Sequence, residues 1–160
     1  MNNQYRARVI NGPISTDDII PGKYKHMYTD HQKMAMHIFE NKLPGLSATF
    51  QENDVLVCNK IFGIGSSREQ AVSSLLSIGI KAVIAPLFGR IFYRNCWNLG
   101  LFPIECHLDY ILDKQIITIN MNRGEIIVNN SSVFFPVPAE EILNMHKMGG
   151  LLESLKKNLT

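Results

Sequence analysis

Apolar residues fall in short runs along this chain, and turn-forming residues punctuate them. Tyr5 to Ile10 reads as a first strand, stopped by Asn11-Gly12-Pro13. Ser15 to Gly22 shows no period and is expected as a loop. Thr29 to Asn41 spaces Met34, Ile38 and Phe39 on one helical face, with Thr29 and Gln32 at capping-box separation and Leu43-Pro44-Gly45 at the close. Asp54 to Asn59 is an apolar run of strand length, and the glycine-bearing loop Phe62-Gly63-Ile64-Gly65 follows it. A helix then opens at Ser66 or Ser67 and runs to about Ile78. Ala71, Val72, Leu75 and Leu76 recur at helical spacing, and Gly79 is placed as its stop.

Lys81 to Ala85 is the next strand, ended by Pro86. A strand–helix–strand unit of this kind is expected to be parallel and right-handed. A second helix, from about Phe88 to Leu99, stops at Gly100 and leads into a strand at Leu101 to Glu105. The last third changes character. Ile116 to Ile119 and Glu125 to Asn129 flank Asn122-Arg123-Gly124 and read as a β-hairpin. Pro136 and Pro138 interrupt the chain before a helix begun by Glu140-Glu141, and Gly149-Gly150 precedes a short final helix. No repeat or low-complexity tract is present. The pattern predicts one α/β domain over residues 1–160, with some antiparallel pairing.

Composition narrows the function classes. With 160 residues and 46% hydrophobic content the chain has enough apolar material for a real core. Its formal net charge is +2 with dispersed basic residues, and only Lys156-Lys157 pair up, on a predicted polar helix. That is a solvated face rather than a nucleic-acid footprint. No apolar run is long enough to span a bilayer. Met1 to Tyr5 lacks the apolar core of a secretory leader, so a cytosolic (cytoplasmic) location is expected. Cys58, Cys96 and Cys106 are odd in number and lack C-x-x-C spacing, so they are expected to be buried structural thiols rather than disulfides or metal ligands.

The chemistry concentrates in Phe62-Gly63-Ile64-Gly65-Ser66-Ser67-Arg68-Glu69-Gln70. The spacing alone supports two readings. Ser66 and Glu69 fit a capping box, with the glycines permitting the turn. The same helix start also offers unpaired N–H groups and a positive dipole end, which favour an anion. Two serine hydroxyls and an arginine there would add donors, and arginine can fork onto a carboxylate. A serine beside that charge is easier to deprotonate.

Gly65-Ser66-Ser67-Arg68-Glu69 is similar to the signature of the aconitase swivelling domain and of the small subunits of isopropylmalate dehydratase and homoaconitase. Further segments resemble the same family in the same order. They are Ile14-Ser15-Thr16-Asp17-Asp18-Ile19-Ile20-Pro21-Gly22, Ala82 to Phe88 with Ile91 to Asn95, Gly100 to Ile104, and Gly149-Gly150-Leu151. Ile64 departs from the cysteine or polar residue that many relatives carry.

The resemblance implies the superfamily's swivelling β/β/α domain, a mixed sheet with flanking helices. It implies Ser66 as catalytic base in alkoxide form, Ser67 and Arg68 on a substrate carboxylate, and Thr16, Asp17, Gly63 and Gly65 as the supporting loops. Tyr24-Lys25-His26-Met27 lies where the family's substrate-recognition loop begins, which makes Lys25 and His26 substrate-binding candidates. Relatives acting on an isopropyl group often carry an aliphatic residue there, and those acting on a third carboxylate tend to carry arginine. The resemblance further implies no metal or cofactor on this chain, and a large-subunit partner that carries a [4Fe–4S] cluster, in a heterodimer or heterotetramer. The substrate would be a small dicarboxylate or tricarboxylate hydroxy acid, with neither nucleic acid nor membrane involved. The leading expectation is isomerisation of 2-isopropylmalate and 3-isopropylmalate by dehydration and rehydration, in leucine biosynthesis. The alternative is a homoaconitase-type or dimethylmalate-type small subunit, and the remote one a non-catalytic binding domain.

Overall fold

The computed structural model describes residues 3–159. In chain order, β1 (Asn3–Ile10), β2 (Ile14–Ser15), α1 (Thr16–Ile19) and α2 (His31–Ala35) precede β3 (Asp54–Cys58) and β4 (Phe62–Ile64). Next come α3 (Glu69–Ser77), β5 (Ala82–Ala85), α4 (Arg90–Leu99) and β6 (Phe102–Glu105). The chain ends with β7 (Ile116–Asn120), β8 (Glu125–Val128), β9 (Ser131–Phe134), α5 (Glu140–Lys147) and α6 (Leu151–Asn158).

A 7-stranded sheet runs in the order β6-β5-β3-β1-β7-β8-β9. Its β6-β5-β3-β1 half is parallel, and β7, β8 and β9 continue it antiparallel. Strands β3 and β5 are nearly continuous apolar runs because both of their faces are covered, whereas β1 carries Arg6 and Arg8 among its apolar residues. Leu56, Cys58, Val83 and Ala85 pack with Met34, Val72, Leu75 and Phe92 from α2, α3 and α4. Val55, Val57, Ala82 and Ile84 point the other way, toward Phe102, Ile117, Phe135 and Leu143.

A charged cluster is buried where β1 meets β3. Asp54, fully buried, accepts from Arg6 Nε at 2.7 Å and Nη2 at 2.8 Å, and from the Gln51 N–H at 2.8 Å. Arg8, also buried, adds Nη1 at 3.4 Å. Burial pushes the Asp54 carboxyl up, but the Arg6 and Gln51 hydrogen bonds and the two arginine charges outweigh it, leaving it below the usual aspartate value.

Four local expectations need correction. The segment 15–22 is not all loop, because Ser15 closes β2 and caps the single turn α1. Ser15 Oγ accepts from the Asp18 N–H at 3.0 Å while the Asp18 carboxylate accepts from the Ser15 N–H at 2.7 Å. That is the capping box expected at Ser66 and Glu69, and none forms there. The expected helix at Ser66 or Ser67 starts only at Glu69, capped by Arg68 without a side-chain bond. The expected helix from Thr29 is short, and Asp30 rather than Thr29 accepts from the Gln32 N–H, at 2.9 Å. Its continuation is broken at Phe39, whose φ is 59° and whose N–H reaches the Ile19 carbonyl at 3.0 Å. A tertiary hydrogen bond beats local propensity there.

Candidate active site

Two strands too short to matter for stability position the site. β2 pairs with β4 in parallel, Ile14 beside Phe62 and Ser15 beside Ile64. The residues that leave the two strands therefore emerge side by side. Thr16, almost fully buried, sets its Oγ1 3.0 Å from the Ser66 carbonyl and 3.3 Å from Ser66 Oγ. Ser66 and Ser67 are exposed. The threonine hydroxyl has one proton and two acceptors in reach, so it can stay on the carbonyl or turn to Ser66 Oγ.

Arg68 is held from the α1 side. Its Nη1 donates to the Asp17 carboxylate and to the Ile20 carbonyl, the latter at 3.1 Å. Nη2 and Nε make no hydrogen bond among the described residues, so the guanidinium is oriented yet keeps donors to spare. A Cβ at Gly22 would lie 3.0 Å from Nη2, so the root of the following loop rests on this group. Thr16, Asp17, Ser66 and Arg68 are thus brought together, although about fifty residues separate the two pairs.

The glycine loop is pressed onto α4. A Cβ at Gly63 would overlap the Phe92 ring at 2.3 Å, and one at Gly89 would strike the Gly63 carbonyl oxygen at 2.2 Å. Only glycine allows this approach. Phe62 completes it, donating to the Leu87 carbonyl and accepting from the Gly89 N–H, both at 2.9 Å. Between residues 63–65 and the start of α4 lies an open cleft of about 440 Å³, lined also by Arg90, Ile91 and Arg94. The family-like segment Ile91 to Asn95 contains Arg94 and stops short of Arg90, and neither arginine was expected in the site. Their spacing of four on a helix, immediately after a glycine, is the signal that was available.

Lys25 and His26 are not brought to Ser66 by any hydrogen bond or ion pair among the described residues, and both are exposed at the end of a 3-10 turn, Gly22–Lys25. Their neighbours are fixed. The Tyr24 hydroxyl lies 2.7 and 2.8 Å from the two Glu40 carboxylate oxygens, and its ring stacks on His37 at 3.9 Å. Lys23 stands 4.8 Å over the same ring. Hydrogen bonds from Tyr24, then His37 and Lys23, hold the Glu40 carboxyl down at about 2. The sequence reading missed this clamp.

The three cysteines sit on β3, on α4 and just after β6, all buried, and burial pushes each thiol up from its ordinary value. Among the described residues no three His, Cys, Asp or Glu side chains gather as metal ligands, so these thiols do not fit an iron–sulfur cluster. No described helix is long and apolar enough to cross a membrane.

Comparison with known proteins agrees with this architecture. A family model described as the aconitase C-terminal domain matches residues 6–108. The methanogen homoaconitase small subunit of Methanocaldococcus jannaschii is 40% identical over 154 residues, 95% of this chain and 90% of that protein. The 3-isopropylmalate dehydratase small subunit of Sulfurisphaera tokodaii is 42% identical over 147 residues, 90% of this chain and 87% of the relative. A crystal structure described as 3-isopropylmalate dehydratase from Methanocaldococcus jannaschii superposes with a TM-score of 0.91 at 39% identity, covering 99% of this chain and 95% of that one.

Proposed function

This chain belongs to the aconitase C-terminal domain family, and from that premise we propose that it is the small subunit of a 3-isopropylmalate dehydratase, active only with its large subunit. The observation that carries the reading is an exposed Ser66 hydroxyl 3.3 Å from the buried Thr16 hydroxyl, two residues before an oriented arginine with donors to spare. A substrate carboxylate placed on Arg68 and Ser67 brings the neighbouring carbon to Ser66. Ser66, as alkoxide, takes the proton from that carbon while the C–O bond of the adjacent carbon breaks, and the proton and the hydroxyl leave as water. Rehydration puts the hydroxyl on the carbon that lost the proton and returns a proton to the other, which interchanges the 2- and 3-isomers.

Thr16 serves by turning its proton from the Ser66 carbonyl to Ser66 Oγ as negative charge develops, and the Arg68 charge favours the same state. Departure of the hydroxyl needs an electrophile, and no metal-ligand cluster lies among the described residues. In this reading the [4Fe–4S] cluster of the large subunit supplies that Lewis acidity. The share of the chemistry borne here is the proton and one carboxylate. A cytosolic enzyme of small acids, without nucleic acid or membrane, follows from the same reading.

One observation favours a second substrate. Lys25 and His26 are exposed on a turn rooted against Arg68 and make no side-chain hydrogen bond or ion pair among the described residues, so a third carboxylate would find a cation there, as in a homoaconitase-type enzyme. Dimethylmalate asks less of the same turn. Reconstitution with the cognate large subunit, assayed against 2-isopropylmalate, homocitrate and dimethylmalate, decides among them. Turnover of 2-isopropylmalate is expected. No turnover of any hydroxy acid by a correctly assembled complex would sink the proposal.

A further inference from the structure

The arginines of this chain divide by what holds them. Arg6, Arg8, Arg68 and Arg123 each have a carboxylate within ion-pair distance. Arg90 and Arg94 have none among the described residues, although both are exposed and both line the cleft beside the glycine loop. They lie one helical turn apart on α4, so they share a face. Among the described residues no acidic side chain lines the cleft. Its floor is the backbone of residues 63–65, which runs directly into Ser66. The cap residue Gly89 has no side chain with which to satisfy the first-turn N–H groups of α4, and that end of the helix favours negative charge. The remaining wall is aliphatic, from Ile64 and Ile91.

We propose that this cleft is a second carboxylate subsite, in which Arg90 and Arg94 take the carboxylate that Arg68 does not hold, while Ile64 and Ile91 flank the carbon skeleton between them. The inference rests on the hydroxy-dicarboxylate reading above and extends it to the other end of the substrate. Two guanidiniums can each offer a forked pair of donors to one carboxylate, and the aliphatic wall leaves the anion no competing partner. A cleft of about 440 Å³ lies within the range of small-ligand sites. The close contact between Gly63 and Gly89 ties the subsite to the loop that leads into Ser66, so a substrate reaching from it to Arg68 would be held at two points.

The test uses R90Q, R94Q and the double variant, each assembled with saturating large subunit. Arg123→Gln, which removes the same charge from the β7–β8 turn, is the control. The double variant is expected to raise KM for the turned-over hydroxy acid at least tenfold with kcat within a few-fold, at unchanged affinity for the large subunit. Normal KM overturns the proposal. So does a variant whose only defect is weaker assembly, since the cleft would then be a partner contact.

A second measurement keeps the two readings apart. Malate, titrated into the isotopically labelled full chain and followed by NMR, should move the Gly63, Gly65 and Gly89 amide signals in wild type and in Arg123→Gln but not in the double variant. If the assembled wild type turns over no hydroxy acid, the hydro-lyase reading fails and this titration alone decides the cleft. Absence of those shifts, or shifts that persist in the double variant, then rejects it.

Discussion

Arginine meets carboxylate in two regions of this molecule, with opposite consequences. At the junction of β1 and β3, Asp54 and Arg8 have side chains 0% and 3% exposed. Every guanidinium nitrogen of Arg8 is used: Nε on Asp113 at 3.2 Å, Nη1 on the Thr49 carbonyl at 3.0 Å, Nη2 on Thr49 Oγ1 at 2.9 Å. At the junction of β2 and β4, one nitrogen of Arg68 carries both of its side-chain bonds, while Nε and Nη2 are unpaired among the described residues. In the first cluster Arg8 has no nitrogen left unbonded, and the group joins β1 to β3. The second is fixed on one side and open on the other, the arrangement expected of a group that waits for an anion. Burial and charge alone do not separate fold from function here. The count of unused donors does.

The largest effect should come from the saturated region. Asp54→Asn leaves Arg8 buried with its charge uncompensated except by the half-exposed Asp113. Breaking one side of a buried pair costs roughly 3–5 kcal/mol. Urea unfolding should show the loss, with activity per folded molecule retained in the reconstituted complex. Acid should reveal the same group. The Asp54 carboxyl is held below its ordinary value, so its stabilisation is present above the ordinary carboxylate pKa and lost as pH falls through the depressed one. Wild type should therefore lose stability below about pH 4 more steeply than the variant. Equal stability of the two proteins at pH 7 would erase the contrast.

The open region should respond in rate rather than in stability. Ser66→Ala removes one exposed oxygen that caps no helix in this structure, so the melting temperature and assembly should hardly change. Loss of the base should lower kcat by at least ~10²-fold. A near-normal kcat would make Ser66 a bystander. Thr16→Val should sit between the two regions. It removes a buried hydroxyl that bonds Ser66, at a net cost of about 1 kcal/mol. If that bond strengthens as Ser66 loses its proton, kcat falls by roughly tenfold with KM little changed. A stability loss without any change in kcat would mean that Thr16 only braces the loop.

Sequence alone disclosed these two regions unequally. Strands β3 and β5 were legible because a sheet buried on both faces writes itself as near-continuous apolar runs, the second ended by Pro86. Strand β9 was not, since Ser131–Phe134 is an edge with three of its four residues exposed and no alternation to read. Serine at position 66 was legible as a helix start and as chemistry, but its geometry was not. The pairing of β2 with β4 joins positions about fifty residues apart, and no local period encodes it. The glycines hinted at close approach without saying to what, and the partner proved to be Phe92 together with Gly89. The Tyr24–Glu40 clamp escaped because a break at Phe39 turns the chain back where periodicity promised more helix.

The smallest effect, and the most discriminating, concerns the exposed turn beside Arg68. Tyr24 is tied to Glu40 and stacked on His37, so the turn has a fixed root, and its next residues, Lys25 and His26, are exposed without a side-chain hydrogen bond or ion pair among the described residues. Such a side chain matters only if the substrate carries something for it to meet. An isopropyl group gains little from an ammonium head and can use only the lysine stem. Lys25→Leu should then leave 2-isopropylmalate turnover within a few-fold. A distal carboxylate would gain a charge-assisted bond, which in such pairs is worth about 1.5–3 kcal/mol, so the same change should raise the KM of a homocitrate-type acid about tenfold or more. Steady-state kinetics of the reconstituted enzyme on both acids reads the difference. Equal, small changes on every substrate would mean that the turn faces solvent and that the partner chain sets the choice. The unused donors that mark a site would then be those of Arg68 and the cleft, and not those of Lys25.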